Sequence, residues 1–276
     1  MDNVRPSTDT STAELVSVIV PCFNAAAFLK GTLESVLEQS HTDIELIVVD
    51  DRSTDASVEI VRTLMANDRR VVLIEMDRNT GAPAAPRNAG VRAARGDWVA
   101  FLDADDLWHP RKLEYQMRAL RVTGAQMCST QMRDLRPGEA AVFREPPPEC
   151  ATQPISLLMQ LTKYRTPTSS IVVRRDLIAR IPFNEDLRYK AREDTDCFIR
   201  AHEYFAHSIK LLFPFVLYRV QDSQISGNKL RMVRRHLHML RHYRLRSGAG
   251  LGIRAYYFTA THFGLSVYFR AIRRVL

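Results

Sequence analysis

Residues 45–55 read ELIVVDDRSTD and residues 98–106 read WVAFLDADD. In both, a short apolar run ends abruptly in aspartates. A run of this kind, rich in β-branched and aromatic residues and bounded by polar turn residues, reads as a strand covered on both faces. Two more runs share the pattern: Val16–Val20, stopped by Pro21, and Val71–Ile74.

Helical spacing fills the gaps. Phe28, Leu29, Thr32, Leu33, Val36 and Leu37 recur on one face after the first strand, and Val58, Ile60, Val61, Leu64 and Met65 after the second. Asp55 stands where it could cap the latter helix, with Glu59 in its first turn. A Gly/Pro-rich loop, Asn79 to Pro86, leads into a short helix around Asn88–Ala94 and then to the strand at 98–102. Strands alternating with helices in this way predict βαβ units: an α/β fold with a mainly parallel, Rossmann-like central sheet and helices on both faces. Beyond residue 107 the pattern loosens. A helix over Pro110–Val122, a loop over Arg136–Glu149, a helix at Leu157–Leu161 and a strand at Ser170–Val173 suggest a smaller, less regular lobe.

The chain has 276 residues, 46% hydrophobic and 25% charged, an ordinary globular composition. Its net charge of +8 is unevenly placed. Residues 1–222 carry 28 basic and 31 acidic side chains, whereas residues 223–276 carry 11 Lys and Arg and no acid. The expected organisation is a polar leader at 1–14, a main domain at 15–222 divided near 107, and a basic tail at 223–276. Cys22, Cys128, Cys150 and Cys197 are widely spaced with no C-x-x-C, which argues against a disulfide framework or a zinc site. The leader has no apolar core of a secretory signal, and the expected compartment is the cytoplasm.

In open α/β sheets ligands bind beyond the carboxyl ends of the strands. Those ends here carry Pro21 to Asn24, Asp50-Asp51, and Asp103, Asp105 and Asp106. Five carboxylates on one sheet edge repel one another unless a cation sits among them, and hard oxygen donors suit Mg²⁺ or Mn²⁺ with phosphate oxygens completing the shell. Helix capping is the alternative; it is preferred for Asp55 and extended to Asp106. For Asp51, Asp103 and Asp105 together, the agreement of separate strand ends favours a ligand site.

VSVIVPCFN, ELIVVDDRSTD, PRNAGVRAARGDWVAFLDADDLW (86–108) and Arg192-Glu193-Asp194 resemble glycosyltransferase family 2, the inverting enzymes of GT-A fold, in order over about residues 16–222. The resemblance implies that Pro21 and its neighbour Asn24 line the nucleobase pocket, that Asp51 hydrogen-bonds the base, and that Arg87 contacts the nucleotide. It implies Asp105 as the metal ligand, Asp103 nearer the sugar or ribose, and Asp194 as catalytic base. The residues alone leave Asp194 open, since Glu193, Asp194 and Asp196 could simply complement a helix dipole. A UDP-sugar donor and a saccharide or lipid-linked saccharide acceptor, in surface polysaccharide synthesis, are likewise implied. Two departures stand out: Gln221 replaces a His that often follows Tyr-Arg-x, and Arg52 replaces the usual Gly of the D-D-G-S-T-D run.

In the tail, Leu230, Val233, Leu237 and Leu240 recur at helical spacing, with arginines largely elsewhere around the helix. Residues 255–269 are aromatic-rich and uncharged, too short to span a bilayer, which needs about 20 apolar residues. A basic amphipathic segment at an anionic membrane surface, on the inner face, is expected over a helix packed on the body. The histidines are read as surface or interface residues. Two other functions compete. A nucleotidyltransferase would open its first βα turn with glycines, absent from PCFN. A nucleic-acid module would use the tail, but no such motif is present and the body is net acidic.

Overall fold

The computed structural model describes residues 14–163, 166–204, 208–221 and 229–275; apart from Glu14, the expected leader lies outside them. The first half consists of β1 (Val16–Cys22), α1 (Ala26–Leu37), β2 (Ile44–Asp50), α2 (Ser57–Asn67), β3 (Val71–Glu75), α3 (Ala84–Ala93) and β4 (Trp98–Phe101). Its four strands are parallel in the order β3-β2-β1-β4. Side chains alternate across the sheet. Val18, Val20, Leu46 and Val48 pack under Leu29, Leu33 and Val36 of α1, while Ile19, Ile47 and Val49 pack with Val91 of α3 on the other face. The one acid in these strand interiors, Glu45, is buried and satisfied by Ser17 Oγ (2.6 Å), the Arg95 amide (2.6 Å) and Arg95 Nε (2.8 Å).

Pro21 does not end β1, as expected from sequence; the strand runs on to Cys22. The Leu102 amide bonds Ile19 O, and the Asp51 amide bonds Cys22 O. Residue 21 therefore turns its missing N–H toward β4, whose ladder has already ended at the Ile19–Phe101 pair. No sheet hydrogen bond is lost. Similarly, α3 starts at Ala84 rather than Asn88, because Pro86 falls in the first turn, where no N–H is needed.

The second half continues the same sheet instead of forming a separate lobe. It contains β5 (Leu107–Trp108), α4 (Lys112–Thr123), β6 (Met127–Leu135), β7 (Thr152–Ile155), α5 (Leu157–Thr162), β8 (Val172–Arg174), α6 (Arg175–Ile178), α7 (Glu193–Tyr204) and β9 (Ser208–Arg219). The strand order goes on β4-β8-β6-β9-β5, with β7 on β9. Here β6 and β9 are parallel, and β8, β5 and β7 run antiparallel to their neighbours. The sequence pattern missed β5, β6, β7 and β9. The β6–β9 ladder shifts register around Gln131, which pairs with Pro214, so neither strand keeps a clean alternation.

The basic tail forms α8 (Lys229–His242) and α9 (Arg254–Val275). Both pack on the body: Met239, Leu240, Tyr243, Leu251, Ala255 and Phe258 share a core with Leu161, Tyr189 and Ile199. The buried face of α8 carries Met232, His236, Met239 and Leu240, with Tyr243 just beyond its end, while Leu230 is 62% exposed, so the stripe is rotated from the one its leucines suggest. Among the described residues no helix is long and apolar enough to cross a membrane. Of the histidines read as surface or interface residues, His109, His202, His236 and His262 are buried within the chain.

Gly90 sets how closely α3 lies on β1. A Cβ there would stand 2.4 Å from Ile19 Cγ2, on a stiff β-branched side chain. Gly90→Ala is expected to cost about 1–3 kcal/mol, read as a lowered denaturation midpoint with an unchanged m-value.

Candidate active site

The carboxyl edge of the sheet is held by hydrogen bonds between loops far apart in sequence. Beyond β4, the Asp103 amide donates to Ser169 Oγ (3.1 Å), and Ser169 Oγ donates to Asp106 Oδ2 (2.6 Å). The Arg219 amide, at the end of β9, donates to Asp106 Oδ1 (3.0 Å). Asp106 is fully buried, and burial together with the charges of Asp103 and Asp105 pushes its pKa well up. It is a brace between loops, not the helix cap expected from sequence. Asp55 bridges two helix starts: it accepts from the Ser57 amide and hydroxyl at α2 and from the Ala26 amide at α1.

Asp105 faces the end of β9. Gln221 Nε2 donates to Asp105 Oδ2 (2.7 Å), and Arg219 Nε donates to Asp105 O (2.9 Å) while its guanidinium covers the Phe28 ring. Burial, then the nearby Asp103 charge, pushes the Asp105 carboxyl up to about 6. Among the described residues no three His, Cys, Asp or Glu side chains form a metal-ligating group. Two carboxylates whose charges oppose each other still fit a hard divalent ion that draws its remaining ligands from phosphate and water. Gln221 directs an amide nitrogen toward Asp105, so it adds no ligand.

Arg87, in the first half of α3, is 4% exposed. Its Nη2 donates to Asp103 Oδ1 (2.7 Å) and its Nη1 to Glu193 Oε1 (3.2 Å), and it lies over the Phe183 ring. Burial opposes its charge, but the Asp103 and Glu193 carboxylates outweigh burial and raise its pKa further. Burial, then Asp194, raises the pKa of Glu193 against the pull of Arg87. Asp194, the next residue in the first turn of α7, accepts from Thr168 Oγ1 (3.1 Å), the Thr195 amide (2.6 Å) and Thr195 Oγ1 (3.2 Å).

At the end of β2, both carboxylate oxygens of Asp51 are engaged, accepting from the Thr80 amide (2.9 Å) and Thr80 Oγ1 (3.0 Å). Asn24 has φ +49° and its Oδ1 accepts from the Thr54 amide (2.8 Å), which joins the turn after β1 to the turn after β2. Arg52 has φ +66°. This left-handed backbone explains why glycine suits the position and costs another residue roughly 1–2 kcal/mol. A concavity of about 300 Å³ lies beside the Asp51 loop, walled by Asn79, Thr80, Ala84 and Glu185 among others. Asp103, Asp105 and Asp194 stand outside it, on the open edge.

The structure thus brings Arg87, Asp103 and the Glu193–Asp194 turn together, sets Asp105 on the Gln221 side, and places Pro21, Asn24 and Asp51 at the neighbouring strand ends. Sequence reasoning missed Ser169, Thr168, Thr80, Arg219 and the ion-pair role of Glu193. Ser169 and Thr168 sit in a run of small hydroxyl residues with no motif to mark them.

The model of the family described as "Glycosyl transferase family 2" matches residues 17–178, more than half of the chain, and the chain belongs to that family. Among its curated relatives, the amylovoran biosynthesis glycosyltransferase AmsB of Erwinia amylovora is 31% identical over 208 residues, covering 73% of this chain and 66% of the relative. The putative teichuronic acid biosynthesis glycosyltransferase TuaG of Bacillus subtilis is 44% identical over 108 residues, 39% of this chain and 42% of the relative. The chain thus spans about two fifths of TuaG and just under two thirds of AmsB. Of solved structures, S. aureus TarS (residues 1–349) in complex with UDP-GlcNAc superposes with a TM-score of 0.67 at 22% identity, over 82% of this chain and 65% of that one. The mannosyltransferase PcManGT of Pyrobaculum calidifontis, in complex with GDP-Man and Mn²⁺, gives 0.61 at 19% identity, over 88% and 69%. These likenesses show the fold: a mixed α/β sheet flanked by helices.

Removing one partner from a buried ion cluster leaves the others unpaired. Arg87→Met is expected to lower stability by about 3–5 kcal/mol at neutral pH, and adding Glu193→Gln is expected to restore part of that loss. Denaturant midpoints of the two variants check both signs.

Proposed function

We propose that the chain transfers a sugar from a nucleoside-diphosphate sugar, a UDP-sugar, to a saccharide hydroxyl in a single displacement with inversion, in polysaccharide synthesis. The observation that carries this reading is the arrangement around Arg87. One buried guanidinium joins Asp103, in the D-x-D loop, to the turn that bears Asp194. The proposed donor side and base side are thereby held at fixed separation, as a displacement from opposite faces of the sugar requires. The names of the relatives, AmsB and TuaG among them, support a role in polysaccharide synthesis.

Asp105 would hold Mn²⁺ or Mg²⁺, with Asp103 nearer the sugar or ribose, and the ion would supply neutralisation of the charge developing on the departing diphosphate. Pro21, Asn24 and Asp51 would line the base, with Thr80 fixing the orientation of the Asp51 carboxylate. Asp194 would accept the proton of the attacking hydroxyl. Glu193 is the adjacent rival, but it is 3% exposed and its oxygens already accept from Arg87 Nη1 and the Arg192 amide (3.0 Å). Its role is to hold Arg87. The four free cysteines suit a reducing, cytoplasmic setting. A nucleotidyltransferase has no observation in its favour here.

Asp194→Asn keeps shape and removes the proton-accepting charge. Turnover with donor and saccharide acceptor is expected to fall by about 100-fold or more, with UDP affinity by calorimetry within about twofold of wild type. Transfer at the wild-type rate would remove Asp194 from the base role.

The tail packs on the body yet leaves Ile253, Tyr256 and Tyr257 exposed beside Arg254, and with them we place the enzyme against an anionic membrane surface where a lipid-linked acceptor would reside. The wild-type chain is expected to sediment with anionic vesicles at low salt and to be released by high salt. Replacing Ile253, Tyr256 and Tyr257 together by serine should abolish sedimentation; retention at the wild-type level would refute the attachment.

A further inference from the structure

On the far side of α7 from the proposed base lies a concavity of about 560 Å³, within the range of about 300–1,000 Å³ usual for small-molecule sites. Asp196 stands two residues past Asp194, a turn of roughly 200° around the helix, and lines this concavity together with Arg200 one turn further on. The segment before α7 supplies Asn184, Glu185 and Tyr189. The tail closes it with His242, at the end of α8, and with Tyr243 and Arg244. Glu185 also walls the smaller concavity beside the Asp51 loop, so the two hollows adjoin.

Much of the polar capacity around the larger hollow is unspent. Arg200 donates from Nε to Asp196 Oδ2 (2.8 Å) and from Nη2 to Pro182 O (2.6 Å). Asn184 Oδ1 accepts from the Asp186 amide (3.0 Å), and His242 Nδ1 lies 2.8 Å from His238 O. Among the described residues no partner meets Arg200 Nη1, Asp196 Oδ1, Asn184 Nδ2, Glu185 Oε2, the Tyr189 hydroxyl or His242 Nε2. Tyr189 is 9% and Asp196 5% exposed, so what each leaves open is turned to the hollow it lines. These atoms include donors and acceptors alike, and the tyrosine hydroxyl is both.

The charges around the hollow balance. Glu185 and Asp196 are matched by Arg200 and Arg244. An anion would meet the carboxylates, a cation would meet the guanidiniums, and an apolar ligand would strand the polar atoms. A neutral ligand rich in hydroxyls fits all of them, because each hydroxyl donates and accepts. The rings of Tyr189 and Tyr243 suit the C–H face of such a ligand. We propose that this hollow is a second, non-reacting saccharide site, which holds a neutral sugar unit of the chain being built; that the sugar belongs to that chain rests on the transfer reading above. Retention here keeps the acceptor at high local concentration beside the transfer site.

The test uses the full chain and saturation-transfer NMR. The probes are glucose, galactose, mannose, N-acetylglucosamine, cellobiose and lactose, with glucuronic acid as the anionic comparison and glycerol as a polyol without a ring. Saturable binding of at least one neutral sugar is expected, and it should persist when UDP and Mn²⁺ are saturating. Tyr189→Phe removes a hydroxyl that holds no partner in the fold, and should weaken that binding about fivefold. His242→Ala, at an exposed position, should weaken it by a similar factor. UDP affinity should stay at the wild-type value in both variants. No saturable binding of any neutral sugar, a response that glycerol shares, or a preference for glucuronic acid over every neutral sugar would each overturn the proposal. So would displacement of the sugar by UDP with Mn²⁺, or sugar affinity unchanged in both variants. A chain that binds the sugar here but binds no UDP with Mn²⁺ would count against the transfer reading and leave the site standing.

Discussion

A single guanidinium, buried in the middle of the candidate site, fixes the distance between its two sides. Taking Arg87 out of water is costly, and the cost is offset only because Asp103 and Glu193 meet it with directed hydrogen bonds and Phe183 lies against its face. The next residue extends the clamp. Asn88 bonds both the amide and the carbonyl of Phe183 and also reaches Glu185 (2.8 Å). Two consecutive residues of α3 thereby hold the segment leading into α7. Since Gly90 allows α3 to lie directly on β1, the sheet itself sets where that segment stands.

A second fastening works from the opposite side. Ser169 takes the Asp103 amide, gives its hydroxyl proton to Asp106 and offers its carbonyl to Trp108 Nε1 (2.7 Å). Asp106 in turn holds the Arg219 amide. The two carboxylates left facing the crevice, Asp103 and Asp105, are therefore mounted on a loop that cannot relax away from its own repulsion. A site that keeps like charges together in this way stores electrostatic energy that a bound cation releases. Lys112 is fully buried with its Nζ 3.7 Å from the Trp108 ring centroid, and burial pushes its pKa well down.

How much of this could be read from the sequence follows from what kind of signal each part leaves. β1, β2 and β4 were legible because both their faces are buried, so they appear as unbroken apolar runs, and the ends of β2 and β4 were legible because aspartates stand there. Asp51, Asp103, Asp105, Arg87 and Asp194 were picked out on that basis and on the motif resemblance. In the second half α4, α5 and β8 were legible, but β5, β6, β7 and β9 were not. β6 and β9 cross through a register shift, β5 has two residues, and β7 pairs only with β9. Ser169 and Thr168 act through tertiary partners more than twenty residues away in sequence, and no local pattern encodes that. The tail misled in a specific way: its leucines marked a stripe, while burial follows Met232, His236 and Met239. A buried histidine reads as polar in any periodicity count.

Pro21 has an effect on how the crevice meets other chains. Past Ile19 and Phe101, β1 and β4 part, and the exposed flank of β1 resembles an unpaired strand edge in the middle of a sheet. An edge of that kind invites any extended peptide to add itself as a strand. The proline puts no N–H on that flank, so an intruding peptide finds a carbonyl at Ile19 already taken by Leu102 and no donor beyond it. The missing N–H of Pro21 thereby leaves a strand added from outside without a donor beside the candidate site.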